Sequence, residues 1–245
     1  MKILTMKFGG TSVADVDRIR AVRDIISSEV TNGWNVIAVV SAMSKETNKL
    51  IDLAKQVGVE SLVDPEYDSL ISTGEDVSSS LLAIALNSVG ISSRSWRGWQ
   101  LPLRTDSFHS NAKIEEIETK KILTNFKEGI KVAVVSGFQG IEQSGRITTL
   151  GRGGSDTSAV AIAAAIDAER CDIYTDVSGI YTTDPRIKKN ASKLKKISFE
   201  EMLEMASLGA KVLQTRAVEL AMRHKVPITV LNSFSKEEGT LVCDE

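Results

Sequence analysis

The chain alternates two hydrophobic periodicities from end to end. Compact runs rich in β-branched and aliphatic residues, Ile3–Phe8, Asn35–Val40, Lys131–Ser136, Cys171–Thr175 and Val226–Leu231, read as strands. Between them apolar residues recur at helical spacing. Val16, Ile19, Val22, Ile25 and Ile26 define one helix, with Asp15, Asp17, Arg18 and Arg20 on its opposite face. Lys45–Val57 predicts a second helix and Asp68–Val89 a longer one that stops at Gly90; two more fall near 198–206 and 210–223. Residues 138–150, with Gly140 and Gly145, predict a hairpin. Ser155–Ala168 is helical in spacing but apolar nearly all round (Ala159, Val160, Ile162, Ala163, Ile166). Such a helix belongs buried against a sheet rather than on the surface.

Strand–helix alternation of this kind predicts an α/β fold, a mostly parallel central sheet sandwiched by helices. Ligands of such sheets bind beyond the carboxyl ends of the strands. Chemistry is therefore expected in the loops after Phe8, Val40, Ser136 and Tyr174. With 245 residues and no internal repeat, low-complexity segment or linker, a single domain over 1–245 is expected.

Composition and charge exclude several classes of function. Thirty basic residues against 32 acidic ones give a net charge of −2, which supplies no drive toward nucleic acid or anionic lipid. No apolar stretch approaches the roughly 20 residues of a membrane helix, and the apolar start at Met1–Phe8 is too short for a signal peptide and is interrupted by Lys7. Cys171 and Cys243 form neither a metal-ligand spacing nor a disulfide framework. The sequon Asn190-Ala191-Ser192 has no secretory context, and the lysine-rich stretch Lys188–Lys196 reads as a solvated connection. A cytoplasmic location is expected.

Three loops carry candidate chemistry. Lys7-Phe8-Gly9-Gly10-Thr11-Ser12 joins a strand to a helix, where glycines let backbone N–H groups approach an anion and the lysine adds a point charge. It is either a phosphate cradle or a tight turn, and it matches neither the P-loop nor the dinucleotide fingerprint. Thr148–Thr157 opens the buried helix with Gly151, Gly153, Gly154 and Arg152. That combination suits an anion better than a plain cap does, although Asp156 alone would serve as an N-cap. Thr175–Arg186 follows a strand and could hold a purine nucleotide, with Tyr181 against the base and Arg186 on phosphate. Gly179 and Asp184-Pro185 equally suit turns.

Seven stretches in order resemble the amino acid kinase family, and within it the aspartate kinases. They are Lys7–Ser12, Val40-Ser41-Ala42-Met43, Ser72-Thr73-Gly74-Glu75, Gly137-Phe138-Gln139-Gly140, Gly151–Asp156, Thr175–Arg186 and Gly209-Ala210-Lys211-Val212-Leu213. The resemblance implies transfer of the γ-phosphoryl group of ATP to the β-carboxylate of L-aspartate. It implies that Lys7, Asp156 and Lys211 are catalytic. Ser41, Thr47, Glu75, Phe138, Arg152 and Ser155 would bind substrate, Glu75 taking the α-ammonium and Arg152 a carboxylate. Lys7, Gly9, Gly10, Ser12, Thr175, Asp176, Tyr181, Arg186 and Lys211 would bind nucleotide. The substrate lobe would run to about residue 165 and the nucleotide lobe over the remainder. Magnesium would arrive on ATP, with no ligand from the protein. The implied assembly is a homodimer, with room for a separate regulatory subunit.

The chemistry agrees with that resemblance. A side-chain carboxylate with an ordinary pKa near 3.9 is ionised at neutral pH and needs no general base. Catalysis then reduces to aligning two anions and neutralising the charge between them. His109 and His224 are accordingly expected to be structural. Aspartate kinases commonly continue into a pair of small regulatory domains, whereas this sequence stops soon after Gly239–Val242, so no regulatory domain is expected within it. Where the family often has proline after the lysine motif, this chain reads Gln214-Thr215-Arg216. The competing expectations are a kinase for N-acetylglutamate or a nucleoside monophosphate, and a non-catalytic sensor. An acetylated amine would leave Glu75 unpaired, and a sensor need not keep Lys7, Asp156 and Lys211.

Overall fold

The computed structural model describes residues 1–59, 61 and 63–244. Its centre is an eight-stranded sheet. The first two strands, β1 (Ile3–Phe8) and β2 (Asn35–Val40), are those expected, and α1 (Val16–Thr31) lies between them. Next come α2 (Glu46–Gln56), α3 (Pro65–Ile71), α4 (Thr73–Asn87), β3 (Ser93–Trp96), β4 (Leu103–Thr105), β5 (Ile114–Ile117), α5 (Lys120–Lys127) and β6 (Val132–Ser136). The predicted hairpin is β7 (Gln139–Ile141) and β8 (Ile147–Thr149). It is followed by α6 (Gly154–Ala165), β9 (Arg170–Thr175), β10 (Lys196–Ser198), α7 (Phe199–Ser207), α8 (Thr215–His224), β11 (Ile228–Asn232) and β12 (Thr240–Cys243). The sheet order is β10-β12-β11-β9-β1-β2-β6-β3, parallel throughout except where β11 meets β12.

The period of two along each strand divides the core between the two faces. Ile37 and Val39 of β2, with Ala133 and Val135 of β6, join the face covered by α6, α7 and α8. Val36, Ala38 and Val40, with Val132 and Val134, join the opposite face under α1 and α4. Residues 154–163 of α6 are all buried, as its unbroken apolar surface requires.

Three expectations need correction. The helix read as Asp68–Val89 is two helices that meet at Ser72. There the Ser72 and Thr73 hydroxyls bond back to the Ser69 and Leu70 carbonyls, and the Ser72 carbonyl accepts instead from Gln139 Nε2 at 3.0 Å. Such back-bonding and diversion of a carbonyl bend a helix. The last helix starts at Thr215 rather than near residue 210, because Gln214 is extended (φ −80°, ψ 136°) and leaves Lys211 in a loop. Finally, β4, β5, β7 and β8 form a second, four-stranded sheet in the order β5-β4-β7-β8, of which only the hairpin was anticipated.

Candidate active site

A cavity of about 1020 Å³ opens where the carboxyl ends of β1, β2, β6 and β9 meet the start of α6. The loops after Phe8, Val40, Ser136 and Tyr174 all contribute to it, as sheets of this class require. The rings of Phe8 and Tyr174 stack at 4.8 Å near the carboxyl ends of adjacent strands β1 and β9. Their burial fixes the base of the Gly9-Gly10 loop.

Lys7 Nζ sits 2.7 Å from Asp156 Oδ1, with both side chains nearly buried. Asp156 lies in the first turn of α6, which has no side-chain cap at Gly153. Gly154 N and Asp156 N donate to the Gly151 and Gly153 carbonyls, so it is the positive end of the helix dipole, at Ser155 on the cavity wall, that favours an anion there. Gly153 has φ +69°, and a Cβ there would overlap the Gln214 side chain. Glycine is needed for both reasons. The Ser41 and Ser155 hydroxyls meet at 3.0 Å across the same floor.

The start of the first helix does not line this floor. The N-cap of α1, Asp15, accepts from Arg18 N at 2.8 Å, so this helix is capped by its own side chain. The helix that opens onto the cavity is α6.

On the substrate side, Glu75 borders the cavity but is only 3% exposed. One oxygen accepts from Ala42 N at 3.1 Å; the other, Oε2, is buried without a hydrogen-bond partner among the described residues. Burial pushes its carboxyl up to about 8, against the lowering effect of the Ala42 amide. A buried oxygen without a donor is costly, and a cationic donor from a ligand would satisfy it. Arg152 borders the same cavity, is exposed, and has no ion-pair partner among the described residues.

The cavity brings together Lys7, Gly10, Ser41, Thr47, Glu75, Phe138, Arg152, Ser155, Asp156, Thr175 and Lys211. Five other expected site residues are not part of its wall. Gly9 adjoins it, where a Cβ would lie 3.3 Å from Lys7 Nζ. Ser12 is buried and donates to Ser233 Oγ at 2.8 Å. Asp176 is exposed and accepts from Thr175 Oγ1. Tyr181 forms an isolated bridge with Lys193. Arg186 makes a two-point contact with Asp184 in an exposed loop.

Sequence reasoning passed over Lys45, Asn48, Tyr67 and Ser110, which also line the cavity. Lys45 carries the strained φ of +68° at the start of α2, which its place in an ordinary helical pattern did not signal. Asp68 was also missed as a support. Wholly buried, it accepts from Ser110 N and Oγ and from Thr149 N and Oγ1, with His109 Nδ1 3.1 Å away. His109 is thus part of this buried network. Arg216 ties α8 to the same region through Asn111 Oδ1, Leu150 O and Ala112 O.

Residues 2–232 match the model of the amino acid kinase family. Aspartate kinase from Pseudomonas fluorescens (strain SBW25) is 53% identical over 243 residues, covering 99% of this chain and 59% of that protein. The crystal structure of aspartate kinase from Synechocystis has 46% identity and a TM-score of 0.86, over 99% of this chain and 40% of that one. E. coli aspartokinase III in complex with aspartate and ADP superposes with a TM-score of 0.89 at 31% identity, over 100% of this chain and 65% of that one. The chain spans about three-fifths of the length of the curated relatives it matches.

Proposed function

This chain belongs to the amino acid kinase family, and from that premise we propose that it transfers the γ-phosphoryl group of ATP to the β-carboxylate of L-aspartate. The observation that carries the choice of acceptor is Glu75 Oε2, a buried, unpartnered oxygen at the wall of a cavity that also presents the free guanidinium of Arg152. An amino acid with a free ammonium and two carboxylates satisfies both groups at once.

In this reading Glu75 holds the α-ammonium and Arg152 the α-carboxylate, while Ser41, Thr47, Phe138 and Ser155 shape the space between them. The triphosphate lies along Gly9-Gly10 and the start of α6. Lys7, held by Asp156, and Lys211 face the γ-phosphoryl group. One oxygen of the β-carboxylate attacks the γ-phosphorus in line; the bond to the β,γ-bridging oxygen breaks, and ADP leaves with that electron pair. Charge accumulates on the transferring group between two anions, so fixed cations and backbone dipoles supply the stabilisation. No proton needs to move, which fits a cavity wall without histidine or cysteine among its lining residues.

Magnesium would be carried on the ATP phosphates, keeping much of its water shell and offsetting their charge. Among the described residues no group of three or more His, Cys, Asp and Glu side chains is arranged to hold a metal ion. Thr175 is the nucleoside contact that borders the cavity. Roles for Asp176, Tyr181 and Arg186 need the segment after β9 to close toward it. Titration calorimetry with aspartate and N-acetylaspartate in the presence of ADP tests the acceptor. Aspartate should bind and its acetylated form should not, because the amide leaves Glu75 Oε2 without a cation. Equal binding of the two contradicts the reading.

A further inference from the structure

Away from the catalytic cavity, beside the free edge of the eight-stranded sheet, a second cleft of about 540 Å³ opens between β3 and α5. Its volume falls within the ~300–1,000 Å³ range of small-molecule sites. Strand alternation puts Arg94 and Trp96 on one side, and helical spacing puts Lys120, Lys121 and Glu128 on the other. Trp99 completes the wall and is 48% exposed, a large ring left in water beside three cations.

Several groups in this cleft lack a natural partner. The α5 helix begins with no side-chain cap and no acidic residue in its first turn, and it places Lys120 and Lys121 there instead. Cations at a helix N-terminus oppose the dipole. Neither lysine has an ion-pair partner among the described residues. Trp96 is 2% exposed, and its indole N–H is buried without an acceptor among the described residues, in contrast to the great majority of buried polar groups. Arg94 lies 4.4 Å above the Trp96 ring and, among the described residues, donates to the neutral Asn125 Oδ1 alone, at 3.3 Å. Glu128 is the one carboxylate among the lining residues.

We propose that this cleft is a second ligand site, built for a small planar anion: an aromatic ring bearing a phosphate or carboxylate. The anionic group lies against the α5 N-terminus, Lys120 and Lys121, where dipole and charge act together. The ring packs on Trp99, and Arg94 closes over it. A cation or a neutral sugar would leave the same groups unmet.

Phenyl phosphate, benzoate and inorganic phosphate are the probes. The chain has three tryptophans, of which Trp96 and Trp99 line the cleft, so in a Trp34→Phe background fluorescence reports on this site alone. Saturable quenching by phenyl phosphate or benzoate is expected, and the tighter of the two identifies the anionic group. The apparent Kd should rise at least tenfold in Arg94→Ala and in the pair Lys120→Ala/Lys121→Ala, with catalytic turnover unchanged. Should Trp34→Phe fail to fold, calorimetry on the intact chain reads the same constants. Quenching that does not saturate, affinities indifferent to the lysine pair, or inorganic phosphate binding as tightly as phenyl phosphate would overturn the proposal.

Discussion

Lys7 and Asp156 are joined at 2.7 Å, so the carboxyl end of β1 is tied to the first turn of α6 across the floor of the cavity. The ion pair fixes an ammonium beside an uncapped helix N-terminus before any substrate arrives. A donor held in place this way needs no reorganisation as charge develops.

Replacing Lys7 with alanine should therefore lower kcat by about 10²–10³-fold, the cost typical of removing one preorganised donor to transition-state charge. Steady-state kinetics beside circular dichroism check it. A folded variant with near-normal kcat would remove Lys7 from the mechanism.

Glu75→Gln and Arg152→Ala should instead raise the KM for aspartate with little change in kcat, provided their contacts are equally strong in ground and transition states. Loss of one partner of a buried charge pair costs roughly 2–5 kcal/mol; Arg152 is exposed, so its share lies at the low end. KM measured at saturating ATP separates the two classes of residue. Unchanged KM in both variants would contradict their placement against substrate.

Glu75 also makes binding depend on pH. With its carboxyl pushed up to about 8, the empty site is mostly protonated at neutral pH, and an ammonium pairs with the ionised form. Aspartate binding should release a proton below pH 8. Its KM should fall as pH rises from 6 to 8, by up to ~10-fold per unit, and then level off. In the free protein the sign is opposite. The folded state holds this proton more tightly than the unfolded chain, so the Glu75 contribution to stability falls as pH rises from about 4.5 to about 8. Both dependences should disappear in Glu75→Gln. A flat wild-type KM profile across that window would refute the coupling.

Two glycines of positive φ offer a control for the loop at α6. Gly145 (φ +87°) faces open space, so Gly145→Ala should cost about 1–2 kcal/mol of left-handed strain and leave activity intact. Gly153→Ala adds overlap with Gln214 to similar strain, and should lose both stability and turnover. Urea unfolding and kcat/KM on the two variants test this. Equal behaviour would mean that the Gly153–Gln214 contact is not a constraint on the site.

The parallel core was readable because its strands are buried on both faces and so appear as unbroken aliphatic runs, Val36–Val40 and Val132–Val135 among them. Of the second sheet only the hairpin was, for β4 and β5 are three or four residues long and mix charged or polar residues with apolar positions, as in Ile114–Ile117. Such segments become strands through their neighbours rather than their own propensity. In the site, glycines, lysines and an aspartate at strand ends gave a local signal. Asp68 gave none, since its partners lie 41 to 81 residues away in sequence. The start of α8 was misjudged because Leu213 extends the apolar spacing, although extended Gln214 is what frees Lys211 for the cavity.

The most direct test of the account is acyl-phosphate formation trapped by hydroxylamine. The purified chain is incubated with magnesium, ATP and, in turn, L-aspartate, L-glutamate, N-acetylglutamate and carbamate, and the hydroxamate is measured. ATP-dependent aspartyl hydroxamate, with the other acceptors at background, is the predicted result. Hydroxamate from N-acetylglutamate in place of aspartate would contradict the pairing of Glu75 with a substrate ammonium. With aspartate, its absence from a folded, nucleotide-binding chain would contradict the proposed activity itself.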